Sequence, residues 1–156
     1  FSMDGDVAPL LDIIALKQKY GALLLLDEAH ALGVRGSMGL AHELGVSDGV
    51  DFHMGTLGKS AGVAGGYVAC SKAYADLMVN RSRSFIYSTA PPPTQSVAAL
   101  AALKLIHAET GNVLRQKLWS NIERFASPNC TKFNTTLSWT LNNTHIKWGA
   151  DKMNGS

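Results

Sequence analysis

Apolar side chains recur at helical spacing between Pro9 and Gly21, at Leu10, Ile13, Ile14 and Leu16. Proline is favoured at the start of a helix and glycine directly after its end. The spacing and the two flanking residues together predict an amphipathic helix over this segment.

Three short runs have the character of strands, and residues 22–26 are apolar at every position, as in a central parallel strand covered on both faces. The other two strand candidates are residues 50–54 and 66–70. Three further helices are expected at residues 72–82, 94–108 and 112–126, with Gly111 breaking the chain before the last. Strands that alternate with helices favour an α/β architecture, with a mostly parallel sheet flanked by helices.

Polar residues follow two of these strands. Asp27 comes directly after the apolar run, and the glycine-rich loop 55–59 follows the next strand candidate and includes Lys59. Because ligands of such sheets bind at the carboxyl ends of the strands, we expect both segments at one edge.

The character of the chain changes after Pro128, where Asn and Thr become frequent and only residues 136–141 have a weak strand pattern. We expect residues 1–126 to form one domain, and residues 127–156 to be a poorly ordered or unrelated tail. The chain starts at Phe1 inside a segment that looks structured, so we expect it to be a piece of a longer protein.

Composition narrows the function classes. The formal net charge of the 156 residues is +2, which gives no argument for nucleic acid as a partner. Cys70 and Cys130 lack metal-ligand spacing and resemble reduced thiols of an intracellular protein, and no apolar run is long enough to span a bilayer. We therefore expect a cytoplasmic protein without a metal site. Four histidines lack a partner at a useful spacing: His42, His53, His107 and His145.

The strings DEAH at residues 27–30 and GKS at residues 58–60 suggest a nucleotide hydrolase, but the spacing argues against one. A phosphate-binding loop of that class requires G-x-x-x-x-G-K-[ST], which would place its first glycine where His53 stands. The acidic string also precedes the lysine, whereas helicases have the opposite order.

An aspartate at a strand end, a histidine three residues later and a lysine in a glycine loop suit pyridoxal 5'-phosphate (PLP). A lysine amine forms a Schiff base with the aldehyde of this cofactor, and a carboxylate pairs with its pyridine nitrogen. A hydroxyl and backbone amides near the lysine can bind the phosphate.

Several longer strings make the resemblance specific: SMDGD-x-APL, LLLDEAHALGVRG-x-x-G, GTLGKS followed by GGYV, and FIYSTAPP. In this order they resemble the α-oxoamine synthases, which are fold-type-I PLP-dependent enzymes that join an amino acid to an acyl thioester. The resemblance covers residues 1–125 and implies part of the large domain of such a transferase.

The resemblance implies that Lys59 forms the Schiff base and that Asp27 pairs with the pyridine nitrogen. It implies that His30 contacts the ring oxygen, that Ser2 also contacts the cofactor, and that Thr56 binds the phosphate. Ser88 and Thr89 resemble a pair that reaches the phosphate from a neighbouring subunit, which implies a homodimer. Glu28 is not expected to be catalytic.

Simpler roles remain open for several of these residues. A single lysine in a glycine loop is usually solvated, and His30 could be an ordinary loop histidine. Ser2 could be a turn hydroxyl. Ser88 and Thr89 could cap the helix that follows the prolines.

The member of the family that the chain most resembles makes a biotin precursor from L-alanine and a pimeloyl thioester, with decarboxylation. Other members share the same strings, so the alternatives are glycine C-acetyltransferase, serine palmitoyltransferase and 5-aminolevulinate synthase types, or a non-catalytic homologue that only dimerises. The family's ring-stacking residue and small domain are expected outside this stretch, so we expect the chain alone to be inactive.

Overall fold

A computed structural model of the protein describes residues 1–126, 137–140 and 145–148, with side chains up to residue 125. The helices are α1 (Leu10–Tyr20), α2 (Leu40–Glu43), α3 (Lys72–Arg81), α4 (Arg83–Ile86), α5 (Pro93–His107) and α6 (Glu109–Ala126), with a 3-10 turn at Ser47–Gly49. The strands are β1 (Leu25–Asp27), β2 (Phe52–Thr56), β3 (Gly66–Cys70), β4 (Leu137–Thr140) and β5 (His145–Trp148).

The first helix begins and ends where the sequence predicts. Pro9 occupies the N-cap position, and Gly21 ends the helix in the left-handed conformation with φ of 61°. Glycine adopts this conformation without steric cost. The amide of Ala22 then donates to the carbonyl of Lys17, which turns the chain toward β1.

The three-stranded sheet has the order β1-β2-β3, with β1 parallel and β3 antiparallel to β2. The expected α/β architecture is present, but only one of these two strand pairs is parallel. A parallel pair requires a crossover of a dozen or more residues. The connection between β2 and β3, residues 57–65, is too short for one, so β3 returns antiparallel.

One face of this sheet packs against α1. The buried cluster consists of Leu10 and Ile14 from α1 with Ala41 and Val50. Partly buried apolar side chains extend this cluster: Leu24, Leu26 and Val46. A salt bridge of 2.8 Å between Lys17 and Asp51 fixes the helix to the segment before β2.

The expectation that residues 22–26 form a central strand covered on both faces is wrong for the part of the chain that the structure describes. β1 is an edge strand there, and Leu23 and Leu25 are 60% and 57% exposed. Leu24 and Leu26 point to the α1 side and pack, because successive side chains of a strand alternate between its faces.

The later helices match their predicted positions within a few residues. At α3, the hydroxyl of Ser71 accepts a hydrogen bond of 3.4 Å from the amide of Tyr74. The prediction that Gly111 breaks the chain before α6 is wrong, because the helix begins at Glu109 and includes this glycine. A β-carbon on Gly111 would lie 2.3 Å from the carbonyl oxygen of Ile106, so close packing against the end of α5 requires glycine.

The predicted strand pattern at residues 136–141 corresponds to β4, which pairs antiparallel with β5. The rest of the predicted tail (residues 127–136, 141–144 and 149–156) lies outside the described residues, so its separation from the first domain stays a prediction. Within the described part, no helix alone has the length and apolar composition to cross a membrane. Only α5 and α6 together meet those criteria, and they are bent by 71°.

Candidate active site

The parallel pairing of β1 and β2 brings two predicted site residues to one edge of the sheet. Asp27 is the last residue of β1 and is in register with Met54 of β2, and Thr56 ends β2 two residues later. Residues in register, and residues two apart on a strand, project from the same face. Asp27 and Thr56 therefore share a face, and they are separated along the strand direction by about 7 Å at the usual rise per residue.

Lys59 lies in the loop that leaves this edge. Its Nζ donates a hydrogen bond of 3.2 Å to the Oγ1 of Thr56, and its side chain is exposed. The loop is closed by backbone hydrogen bonds from Leu57 to the carbonyl of Gly65 and from Gly62 to the carbonyl of Lys59. A primary amine and a hydroxyl are thus adjacent, directly beyond the end of β2.

The carboxylate of Asp27 is held by the chain that follows it. Its Oδ1 accepts a hydrogen bond of 2.9 Å from the amide of Ala29. Among the described residues no other donor contacts this side chain, which is exposed. The second oxygen can therefore accept a hydrogen bond from a ligand.

His30 lies in the turn that follows β1. The turn is built on the carbonyl of Glu28, which accepts a hydrogen bond of 2.9 Å from the amide of Ala31. Trp119 of α6 donates through its Nε1 to the carbonyl of Val34 at 3.2 Å, which fixes the far side of the turn. The imidazole of His30 is exposed, so this predicted site residue lies near the strand end and is available to a ligand.

The other three predicted site residues are not brought to this edge by any contact within the described residues. Ser2 is exposed in the turn before α1. Ser88 donates its hydroxyl to the carbonyl of Ser84 at the end of α4, and Thr89 is exposed. Neither residue caps α5, whose N-cap position is occupied by Pro92 without a side-chain hydrogen bond, so the capping alternative is wrong.

Behind the site face lies a polar pair that no local sequence pattern predicts. His53, expected to lack a partner, contacts the carboxylate of Glu28 with 3.1 Å between Nδ1 and Oε2. Glu28 is only 4% exposed. The register could have revealed this pair, because Leu26 pairs with His53 and Glu28 is the next residue on the same face of the sheet.

Two ionisable groups beside the sheet have shifted pKa values. The ammonium of Lys17 and the amide of Leu24 donate to the carboxylate of Asp51 and lower its pKa. Burial, and then the negative charge of Glu28, raise the pKa of Tyr67. Both shifts stabilise the protonation state that each group has at neutral pH.

A cavity of about 450 Å³ lies away from this edge, between the turn after β1 and α6. In its wall, the guanidinium of Arg35 forms a salt bridge of 2.8 Å with Glu43. Glu109 and Arg115 add one negative and one positive charge to the lining. The cavity therefore has no net charge to select an ion, and it does not include Asp27, Thr56 or Lys59. Its lining residues are Val34, Arg35, Gly36, Glu43, Glu109, Asn112, Arg115, Gln116 and Trp119.

The chain is similar to known proteins in sequence and in fold. The family model "aminotransferase class I and II" matches residues 1–146. The chain is 50% identical over 127 residues to an 8-amino-7-oxononanoate synthase of Citrifermentans bemidjiense, a match that covers 80% of this chain and 33% of that protein. The chain thus spans about a third of the length of this curated relative.

Solved structures agree with the family match. A Francisella tularensis 8-amino-7-oxononanoate synthase has a TM-score of 0.73 and 28% identity, covering 93% of this chain and 42% of that one. A serine palmitoyltransferase of S. paucimobilis, with a bound PLP–myriocin aldimine, has a TM-score of 0.75 and 31% identity, covering 81% and 32%. The chain belongs to the aminotransferase class I and II family.

Proposed function

We propose that this chain forms the cofactor-binding part of a PLP-dependent acyltransferase of the 8-amino-7-oxononanoate synthase type. The reaction joins L-alanine to a pimeloyl thioester with loss of carbon dioxide, in biotin biosynthesis. The single observation that carries the proposal is the parallel pairing of β1 with β2, which ends both strands at one edge, with Asp27 on β1 and Thr56, bonded to Lys59, on β2. The names and identities of the curated relatives support the choice of reaction.

The side chains at this edge fit PLP in chemical type. The unshared oxygen of Asp27 can accept from a protonated pyridine nitrogen, and the exposed amine of Lys59 can reach an aldehyde. The Thr56 hydroxyl and the amides of the loop after β2 are donors for a phosphate. His30 can donate to the ring oxygen. When bound, PLP supplies an aldehyde that condenses with amines and a ring that accepts an electron pair from the substrate.

Proton transfer falls to Lys59. Its Nζ is the only amine at this edge among the described residues, and its contact with the Oγ1 of Thr56 holds it close to the end of β2. A neutral amine there can accept the α-proton of an amino acid and return a proton later in the reaction. Asp27 would accept a hydrogen bond from the ring nitrogen and so would favour the protonated ring.

The remaining expectations belong to the same proposal. Ser2 would contact the cofactor from the N-terminal turn, and Ser88 and Thr89 would reach the phosphate of a second subunit in a cytoplasmic homodimer. Residues 1–126 would form the PLP-binding unit. A serine palmitoyltransferase type is the second candidate, because solved structures of that enzyme resemble the chain. The 50% identity to 8-amino-7-oxononanoate synthases favours the first.

The cofactor proposal is tested by labelling. The full chain is incubated with increasing PLP and reduced with borohydride, and the modified lysines are quantified by peptide mass spectrometry. We expect Lys59 to be labelled at lower PLP concentration than Lys72, which is an exposed lysine bonded to Asp76 at 2.8 Å. Asp27→Asn and Thr56→Val should each lower the label at Lys59 and leave the label at Lys72 unchanged.

Asp76→Asn is the matched control for Asp27→Asn, because Asp76 is also an exposed carboxylate but it bonds Lys72 of α3 and no residue of the site. It should leave Lys59 labelling unchanged. Equal labelling of the exposed lysines with no preference for Lys59 would contradict the proposed cofactor site. The two substrate candidates are then compared by adding L-alanine or L-serine to the PLP-loaded chain and recording which one changes the cofactor absorbance.

A further inference from the structure

Glu28 is the only buried polar or charged residue among those that the structure describes. Placing a carboxylate in a protein interior costs free energy. Replacing a buried charged pair with apolar residues of similar size often leaves the protein equally stable or more stable. Its presence directly after Asp27, a proposed cofactor residue, therefore calls for a role other than stability.

Both ends of Glu28 are fixed. Its amide donates to the carbonyl of Met54 at 2.7 Å, and its own carbonyl accepts from Ala31 at 2.9 Å. Its Oε1 accepts from the amide of Ala41 at 3.0 Å, and its Oε2 contacts the Nδ1 of His53 at 3.1 Å. The residue is thus held through both backbone groups and both carboxylate oxygens.

The backbone at Gly39 packs directly against this carboxylate. A β-carbon on Gly39 would lie 2.5 Å from its Oε1, so the chain approaches it as closely as glycine allows. Tyr67 of β3 lies on the same face of the sheet, and its pKa is raised partly by the charge of Glu28. The carboxylate therefore sits between the sheet and the chain before α2.

His53 lies between two acceptors. Its Nδ1 faces the carboxylate of Glu28, and its Nε2 lies 3.2 Å from the carbonyl oxygen of Ser47. A neutral imidazole has one N–H and cannot donate to both acceptors. With its proton on Nδ1, the imidazole donates to the carboxylate of Glu28, and this hydrogen bond keeps the two side chains together.

We propose that Glu28 and His53 form a positioning pair that orients the carboxylate of Asp27 toward the nitrogen of a pyridine ring. Glu28 lies between Asp27 and Ala29, and the amide of Ala29 is the donor that holds the Oδ1 of Asp27 at 2.9 Å. Fixing Glu28 from the opposite face fixes this amide, and with it the direction of the free oxygen. The inference rests on the proposed function, because the ring nitrogen is that of PLP.

A double-mutant cycle on PLP binding tests the pair. The dissociation constant of PLP is measured by equilibrium dialysis for the wild type, Asp27→Asn, Glu28→Ala and the double variant. Loss of a charged hydrogen bond corresponds to about tenfold weaker binding, which we expect for each single variant. If Glu28 acts through Asp27, the double variant binds no more weakly than Asp27→Asn alone. Independent, multiplied effects would overturn the proposal.

Conservative variants separate positioning from folding. In Glu28→Gln, the amide oxygen can accept from Ala41 and the amide nitrogen can donate to His53, so PLP affinity should return to within about twofold of wild type. Glu43→Gln removes an exposed carboxylate that is bonded to Arg35, and it should leave the PLP affinity unchanged. Circular dichroism melting shows whether each variant is folded at the temperature of dialysis.

Should Glu28→Ala fail to fold, His53→Asn replaces it in the cycle, because asparagine reaches only one of the two acceptors. We expect the double variant of His53→Asn and Asp27→Asn to bind PLP no more weakly than Asp27→Asn alone. Independent effects of the two substitutions on PLP affinity would again overturn the proposed positioning pair. The two proposals fail differently. Equal PLP affinity of wild type and Asp27→Asn would refute the proposed cofactor site, whereas a normal loss in Asp27→Asn with additive effects would refute only the positioning pair.

Discussion

Gly39→Ala should be among the most damaging single-methyl changes in this chain. Gly39 has φ of +101°, and its added β-carbon would lie 2.5 Å from the Oε1 and 2.8 Å from the Cδ of Glu28. Backbone strain of this kind costs about 1–3 kcal/mol. The carboxylate cannot move away without weakening its hydrogen bond to Ala41 or its contact with His53, a loss of about 1.5–3 kcal/mol.

We therefore expect Gly39→Ala to lower the free energy of unfolding by about 2.5–6 kcal/mol. Gly45→Ala is the matched control, because Gly45 also has a positive φ of +70° but nothing lies within 4 Å of its added β-carbon. Backbone strain alone should cost that variant about 1 kcal/mol.

Urea unfolding followed by circular dichroism measures the free energy of unfolding of both variants and of wild type. The unfolding midpoints are compared with one common value for the dependence of this free energy on urea concentration. Equal destabilisation by Gly39→Ala and Gly45→Ala would refute the reasoning, since the difference between them is the collision with Glu28. Adding Glu28→Ala to Gly39→Ala removes the atoms that collide. The cost of the glycine substitution should therefore be smaller in that background than in wild type.

Two further predictions concern pH and are checked by melting temperatures across a pH series. The pKa of Asp51 is lowered by Lys17 and Leu24, so its contribution to stability is present above its ordinary value of 3.8 and is lost as the pH falls through the folded pKa. Asp51→Asn should therefore melt below wild type at neutral pH, with a gap that closes in acid; a gap independent of pH would contradict this. The pKa of Tyr67 is raised above 10.0 by burial and by Glu28, so its contribution is present below pH 10.0 and is lost as the pH rises through the folded pKa. Tyr67→Phe should thus lose less stability than wild type in alkali, and parallel losses in the two proteins would contradict the prediction.

Much of the local structure was predictable, because the signals for it lie within a few residues of each other. The helix between Pro9 and Gly21 has the proline, the apolar stripe and the left-handed glycine that define its ends. The strand that ends at Asp27 and the loop that includes Lys59 were expected at one sheet edge, and the parallel register confirms this expectation.

The errors arose where close packing or the length of a connection overrides the preference of single residues and segments. The low helix propensity of glycine predicts a break at Gly111, yet this residue is inside α6. Glycine is required there because the carbonyl of Ile106 leaves no room for a side chain. Similarly, the connection 57–65 allows only an antiparallel return, so β3 does not extend the parallel pairing.

The sequence by itself determined the family resemblance, the main helices and the chemical types at the site, since residue identity and spacing are enough for each. Only the tertiary structure decided that Glu28 meets His53. Residues 25 positions apart come into contact through strand register, which depends on the pairing of whole segments and not on any local pattern. For the same reason, the packing behind Asp27 depends on the pairing of β1 with β2 and not on the residues next to it in sequence.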